Sequence, residues 1–313
     1  MKIAILGGAG AMGSVVGAAL ADCGQDVTLV DVSSEAIAQI NNHGLRIDHK
    51  PTGESRVVTN LKATHASDPS GAQDLILVFV KCYHTENAVR QAAPMMDPST
   101  TVMTIQNGWG NGAKIAGIVG ASRVAVGLTY HSATLLAPGH ALHTGAGLTH
   151  IGALSGAVTP RLKAIADVFN QAGLPTETTH EVLAQIYMKL ALNCCTLPTS
   201  ALLRIEAHKL VEYEGTLQTM RGILREVVAV ANAQGIPLDY VERWSAITSL
   251  LKRAVGSRSS MLQDVEHSRR TEIDVINGAI AEGGRGLGIA TPLNDAMVWM
   301  VRALEESYAV ARA

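Results

Sequence analysis

Hydrophobic positions in the first half of the chain fall in short continuous runs. Residues 2–6, 27–30, 75–80 and 101–105 are apolar and largely without polar alternation, the pattern of strands covered on both faces. The small-residue stretch 11–22 predicts a closely packed helix between the first two runs, so the chain opens as strand, helix, strand. Ser33 and Ser34 can cap a helix running to about Asn41, and Thr85-Glu86 opens another between the third and fourth runs. Helices alternating with buried strands favour parallel order. The stretch 43–64 is polar, contains Gly and Pro, and is compatible with a short hairpin. A strand near 124–128 and an apolar, Gly-rich stretch at 142–151 are expected to extend the sheet, with a turn at Pro138-Gly139 between them.

From His180 the period changes to that of long helices, predicted at 181–195, 215–234, 240–254, 260–282 and 295–311. Breaks are expected at Pro198, at Gly235-Ile236-Pro237, around Gly256, and from Gly283 through Pro292, with the 283–288 loop mobile or tightly turned. The division predicts two domains, residues 1–179 and 180–313.

Composition sharpens this picture. The 313 residues suggest two domains at roughly 150 residues each, and 47% hydrophobic against 17% charged residues excludes a disordered or fibrous chain. The net charge is −2 and the basic residues are scattered, which argues against nucleic acid as a partner. No apolar run approaches the roughly 20 residues of a membrane span, and the N-terminus enters a strand pattern at once, so a cytoplasmic protein is expected. Cys23, Cys82, Cys194 and Cys195 lack zinc-ligand spacing and read as free thiols in a reducing compartment. His131, His143 and the other histidines could shuttle protons, but nothing in their spacing singles them out, and no metal set is visible.

The segment Gly8-Ala9-Gly10-Ala11-Met12-Gly13 follows a strand and opens a helix. In that context it matches the dinucleotide fingerprint: Gly8 for the tight turn, Gly10 for backbone approach to a pyrophosphate, and Gly13 for packing of helix on strand. The N–H groups at the start of the helix, at Ala11 and Met12, offer positive potential to phosphate. Asp31 ends the second strand 18 residues after Gly13 (31 − 13). A carboxylate there accepts from the adenosine ribose hydroxyls and repels a 2′-phosphate, and no arginine follows in Val32-Ser33-Ser34, so NAD(H) is favoured. The plainer reading is that Asp31 caps the next helix. The fold class expected is α/β, an N-terminal Rossmann-type doubly wound sheet followed by an all-α C-terminal domain.

Lys189 and Asn193 are four apart on one predicted helix and share a face. Glu272 falls 12 residues after Ser260 (272 − 260), about three turns along a predicted helix that starts near Ser260. Read singly, Lys189 and Glu272 are surface charges, Ser260 is a helix cap, Asn107 is a turn residue beside Gly108, and Lys81 is a strand-end cation.

Taken together these segments give the chain a resemblance to the ketopantoate reductase (2-dehydropantoate 2-reductase) family over essentially its whole length. The likeness rests on the Gly8 fingerprint, Val80-Lys81 with Thr85, Gln106-Asn107-Gly108, Lys189-Leu190-Ala191-Leu192-Asn193-Cys194, and the segment from Ser260 to Asn277. The resemblance implies that Lys189 is the general acid, protonating a carbonyl oxygen as hydride arrives. It makes Glu272 a group that binds the substrate hydroxyl or orients the lysine, and Ser260 and Asn193 substrate hydrogen-bonding groups. Lys81 and Asn107 would lie at the junction of cofactor and substrate, in a cleft at the carboxyl ends of the strands. The implied reaction is NAD(P)H-dependent reduction of a small 2-oxo acid, ketopantoate first.

Two positions depart from the family pattern. Leu197 stands where a second asparagine is common, and Asp31 stands where the usual NADP(H) preference goes with a basic group. Both point toward an NAD-linked relative acting on another, less polar 2-hydroxy acid. A dinucleotide-sensing regulator is the alternative of another class, though no effector segment is evident. A homodimer stands as one open arrangement.

Overall fold

A computed structural model describes residues 1–50, 52–65 and 71–310. The chain divides into two compact units: one comprises Met1–Gln106 and Asn111–Leu183, the other Asn107–Gly110 together with the chain from Ala184 onward.

The first unit is built on strands β1 (Lys2–Leu6), β2 (Asp26–Val30), β3 (Leu45–His49), β4 (Ser55–Val58), β5 (Lys62–Thr64), β6 (Leu75–Val78), β7 (Thr101–Thr104), β8 (Val124–Thr129), β9 (Ser132–Ala137), β10 (His140–Gly145), β11 (Thr149–Ala153) and β12 (Thr176–Thr178). Eight of them form one sheet in the order β12-β11-β8-β7-β6-β1-β2-β5, parallel throughout except where β8 meets β11. β1 lies between β2 and β6, so the strand order reverses beside it, the place where open α/β sheets bind ligands beyond the strand ends. The expected parallel order holds because Ile3, Ile5, Leu75, Ile76, Leu77 and Val102 are all fully buried, as strands covered on both faces require.

Helix α1 (Ala11–Asp22) is buried almost all round, which its small residues permit: a Cβ on Gly17 would come within 2.6 Å of the Leu29 side chain. It packs on β2 of the large sheet and on β3, β9 and β10 of a second, four-stranded sheet ordered β4-β3-β10-β9. That second sheet corrects two expectations. The 43–64 stretch does contain the antiparallel hairpin β3/β4, but β5 joins the large sheet; its Pro51 lies outside the described residues. The 142–151 stretch is divided: β10 pairs with β3 and β9, and only β11 extends the large sheet. Periodicity reports which residues are covered and leaves open which sheet covers them. Helices α2 (Ser34–His43), α3 (Thr85–Gln91), α4 (Asn111–Val119) and α5 (Pro160–Gln171) complete the unit, the last two without forewarning in the pattern.

The second unit contains most of α6 (Val182–Leu203), then α7 (Glu214–Ala233), α8 (Tyr240–Arg253), α9 (Ser260–Glu266), α10 (Asn277–Leu287) and α11 (Pro292–Val310). The core stripe of α7 reads Met220, Ile223, Leu224, Val227, Val230 and Ala231, at helical spacing. Three expectations fail here for identifiable reasons. α6 does not break at Pro198, which lies inside it. Proline has no N–H for the carbonyl four residues back, but the Asn277 Nδ2 donates to that oxygen, Cys194 O, at 3.1 Å. The predicted helix at 260–282 is instead two helices. α9 stops at Glu266, Ser268 adopts a left-handed φ of 51°, Arg269 N returns to Asp264 O at 2.8 Å, and a 3-10 turn at Ile273–Val275 precedes α10. The expected 283–288 loop is helical through Leu287 and ends on left-handed Gly288. A Cβ on Gly284 would sit 2.7 Å from Ile289 O and from Thr291 Cγ2, so glycine is kept there for packing. Of the helix predicted at 295–311, Ala311 lies outside the described residues. No described helix is long and apolar enough to cross a membrane, and among the described residues no three His, Cys, Asp or Glu side chains are placed to hold a metal ion.

Candidate active site

Two groups of residues, one in each unit, carry the chemistry. The first surrounds the turn after β1. Gly7 N and Gly8 N both donate to Val30 O, at 2.9 and 3.2 Å, and Gly10 N closes on Gly7 O at 3.1 Å. Gly7 adopts φ 76°, a left-handed conformation that the Gly7-Gly8 doublet signals and the fingerprint reading passed over. A Cβ on Gly8 would stand 2.8 Å from the Leu29 Cα, and one on Gly13 only 2.5 Å from Gly7 O; at Gly10 the nearest atom is 3.1 Å away. Gly10 occupies the cap of α1 without a side chain to offer, so the N–H groups of Ala11, Met12 and Gly13 open the helix with no intrahelical acceptor. A pyrophosphate fits that cradle, because it supplies oxygens and negative charge where the helix presents N–H groups and positive potential.

Asp31 is bound into the same turn. Its Oδ2 accepts from Ala9 N at 3.1 Å, and its Oδ1 from Val32 N at 2.8 Å and Ser33 N at 3.1 Å. The cap of α2 is Ser33, whose hydroxyl accepts from Ala36 N, so capping does not account for Asp31. Lys81 is partly buried, directly ahead of a 3-10 turn at Cys82–His84. Beside it Gln106 bridges strand ends: its Nε2 donates to Val80 O and to Thr85 Oγ1 (3.0 Å), while Thr104 Oγ1 donates to its Oε1 at 2.8 Å.

The second group lies in the helical unit. α6 carries Lys189, and its Nζ donates to Asn107 Oδ1 at 2.8 Å. Burial pushes the ammonium down to about 8, against the field of the Glu272 carboxylate, which pulls it back up. Glu272 reaches this place from the loop before the 3-10 turn, not from a helix interior as the spacing suggested. Asn193 is buried one turn after Lys189 on the same face, and Leu197, 8% exposed, follows one turn later. Ser260 is exposed at the first residue of α9; the cap is Ser259, whose hydroxyl accepts from Leu262 N, so the capping alternative for Ser260 falls away. The described contacts do not link Ser260 to Lys189.

Spacing gave no hint of Trp109, Tyr187 or Val275, which hold the Asn107 segment. Trp109 N donates to Val275 O at 2.8 Å, and its ring meets Tyr187 edge-on at 4.7 Å. A second cluster went unnoticed in the first unit, where His131 Nδ1 lies 3.0 Å from His143 Nε2, and His143 Nδ1 lies 3.2 Å from His49 Nδ1. All three are shifted down, primarily by burial, His143 to about 4. None of the four cysteines forms a disulfide, and burial holds the Cys194 and Cys195 thiols up, so their adjacency carries no thiolate chemistry.

What these two groups can do is bind a dinucleotide on the glycine turn and present an acidic amine, flanked by an amide and a carboxylate, to a polar substrate. Comparison with known proteins identifies a family. The family model described as Ketopantoate reductase PanE/ApbA matches residues 3–156, and its C-terminal counterpart matches residues 181–305. The chain is 34% identical to a 2-dehydropantoate 2-reductase of Pyrococcus horikoshii over 305 residues, covering 97% of this chain and 98% of the relative. A 2-dehydropantoate 2-reductase of Halobacterium salinarum is also 34% identical, covering 95% and 97%. Among solved structures, D-mandelate dehydrogenase with NADH and anilino(oxo)acetate aligns with a TM-score of 0.93 at 30% identity, covering 98% of this chain and 99% of that one. A PanE/ApbA family ketopantoate reductase from Ralstonia eutropha aligns at 0.88 with 32% identity and the same coverage.

Proposed function

Because the chain belongs to the ketopantoate reductase family of oxidoreductases, we propose that it reduces a 2-oxo acid to the 2-hydroxy acid with NAD(P)H, ketopantoate to pantoate being the leading reaction. When bound, the reduced nicotinamide supplies the hydride. Lys189 supplies the proton: negative charge grows on the carbonyl oxygen as its carbon is reduced, and a partly desolvated ammonium both stabilises that charge and transfers a proton to it. The amine is then reprotonated from solvent. Asn107 holds the ammonium, Glu272 orients it or binds the substrate hydroxyl, and Asn193 and Ser260 hydrogen-bond the substrate. Gly8, Gly10, Ala11, Met12 and Gly13 cradle the pyrophosphate, with Lys81 and Asn107 toward the nicotinamide end.

The observation that carries this reading is the Lys189 amine held by Asn107 and pushed down to about 8. That value leaves it charged at neutral pH yet acidic enough to give up a proton. The test is turnover of ketopantoate by the wild type and by Lys189→Ala. Loss of roughly 10²–10⁴ in kcat with NADH affinity retained supports the assignment, and full activity in the variant removes it.

A specific observation favours a second reading within the same chemistry. Asp31 offers a carboxylate to the ribose hydroxyls and Leu197 lines the lysine face of α6 with an apolar side chain, so NADH and a less polar 2-oxo acid suit the site. The likeness to a D-mandelate dehydrogenase bound to NADH agrees with that direction. Ketopantoate, phenylglyoxylate and a branched 2-oxo acid, each assayed with NADH and NADPH, separate the readings. Turnover of phenylglyoxylate with NADH alone selects the second, and binding without turnover of any member would mark a dinucleotide sensor.

A further inference from the structure

The segment Asn107–Gly110 belongs with the helical unit although the chain on both sides of it belongs to the other. Three contacts hold it there. Gly108 has φ 89°, and a Cβ on it would stand 2.5 Å from both Val275 Cγ2 and Val275 O, so only glycine lets the backbone lie this close. Trp109 N then donates to Val275 O at 2.8 Å. The Trp109 ring meets Tyr187 edge-on, with centroids 4.7 Å apart and planes at 62°.

Both partners of Trp109 are fixed and both lead back to the reacting groups. Tyr187 is 1% exposed, donates its hydroxyl to Gln234 Oε1 at 3.0 Å, and precedes Lys189 by two residues on α6. Two residues on a helix are separated by about 200°, so Trp109 and Asn107 grip α6 from different sides. Val275 N donates to Glu272 O at 3.2 Å. A closed circuit results: Lys189 to Asn107, through Gly108 to Trp109, to Val275, to Glu272, whose charge returns to Lys189.

The geometry points to Trp109 as a positioning residue for the proton-donating amine: by locking its segment onto Tyr187 and Val275 it keeps the Asn107 amide oxygen at Lys189 Nζ, in register with Glu272. This rests on the reading of Lys189 as the proton donor. A tryptophan that merely fills space would affect folding stability, whereas a positioning residue governs the rate of the proton step and its pH dependence.

The experiment compares full-length wild type, Trp109→Ala, Trp109→Phe and Lys189→Ala in reducing ketopantoate or phenylglyoxylate, whichever the wild type turns over faster, with saturating NADH from pH 6 to 10. Trp109→Ala is expected to lower kcat about 10–100-fold while the Kd for NADH stays within about twofold, and to displace the alkaline limb of the kcat profile. Trp109→Phe, which keeps an aromatic edge on Tyr187, restores kcat to within about fivefold of wild type. Should the alanine variant fail to fold, Trp109→Leu, with bulk but no ring, takes its place. A wild-type kcat and limb in the ring-less variant overturn the positioning role alone, and so do equal losses in the Phe and Ala variants with the limb unmoved. A fully active Lys189→Ala, or a wild type without turnover, overturns both this inference and the reading beneath it.

Discussion

Lys189 Nζ and Asn107 Oδ1 stand 2.8 Å apart although 82 residues separate them in the chain. An amide oxygen is a telling partner for a buried ammonium. It satisfies a hydrogen bond without neutralising the charge, so desolvation still lowers the proton affinity of the amine. Glu272, close enough for its charge to be felt, opposes that effect without cancelling it.

Lys189 therefore predicts a pH profile. Reduction needs the protonated amine, so kcat/KM should be level below about pH 7 and fall tenfold per unit above its midpoint near 8. In Glu272→Gln the charge that raises the amine is gone, and the midpoint moves below that of the wild type. Values of kcat/KM for the 2-oxo acid, measured across pH, check this, and an upward or absent shift contradicts the assigned sign.

Cofactor choice should turn on Asp31. At an effective dielectric of about 20, two unit charges 4 Å apart repel by about 4 kcal/mol, enough for roughly a thousandfold preference for NADH over NADPH. Replacing the carboxylate in Asp31→Ser removes that repulsion and is expected to raise kcat/KM for NADPH at least tenfold relative to NADH. A wild type that favours NADPH refutes the carboxylate argument.

The proline inside α6 makes a stability prediction. Asn277 is fully buried, and its Nδ2 donates both to Cys194 O and to Asn294 Oδ1. Asn277→Ala orphans the Cys194 carbonyl and should cost about 1–3 kcal/mol in urea unfolding. In a Pro198→Ala background residue 198 has its own N–H for that carbonyl, so the same substitution should cost less by at least about 0.5 kcal/mol. Strict additivity of the two changes means the amide is not standing in for the missing donor.

Acid should weaken the first unit through its histidines. His143, flanked by His131 and His49 with Arg56 also near, is held at about 4, chiefly by burial and then by its two neighbours. Its unfolded value lies near 6.5, so the unfolded chain binds more protons between those limits. Stability is undiminished above about pH 6.5 and lost as pH falls toward 4, by on the order of 1–3 kcal/mol. Asp48 and Glu54, whose charges favour protonation of His49, and His140 on Asp48 sit beside this cluster. Thermal melting of wild type and His143→Asn between pH 7.5 and 5 decides it: superimposed curves mean the cluster does not contribute.

Much of the architecture is local and was therefore legible. The buried strands β1, β6 and β7, the small-residue helix α1 and the glycine turn between β1 and α1 each follow from what neighbouring residues can do to one another. Asp31 and Lys189 were readable as candidates because their chemistry shows at fixed distances from the fingerprint and along one helix face.

What tertiary structure alone decided are the matters settled between distant segments. From its pattern β10 could pair in either sheet; in the structure it lies beside β3, in the sheet that covers α1. Pro198 ends helices in isolation, and here it does not because Asn277, 79 residues later (277 − 198), supplies the missing donor. Trp109 gains its place only through Tyr187 and Val275, and His49, His131 and His143 join only across strands. Periodicity measures how a residue is covered, whereas hydrogen bonds and ring contacts depend on which atom does the covering, and that is set when the chain closes on itself.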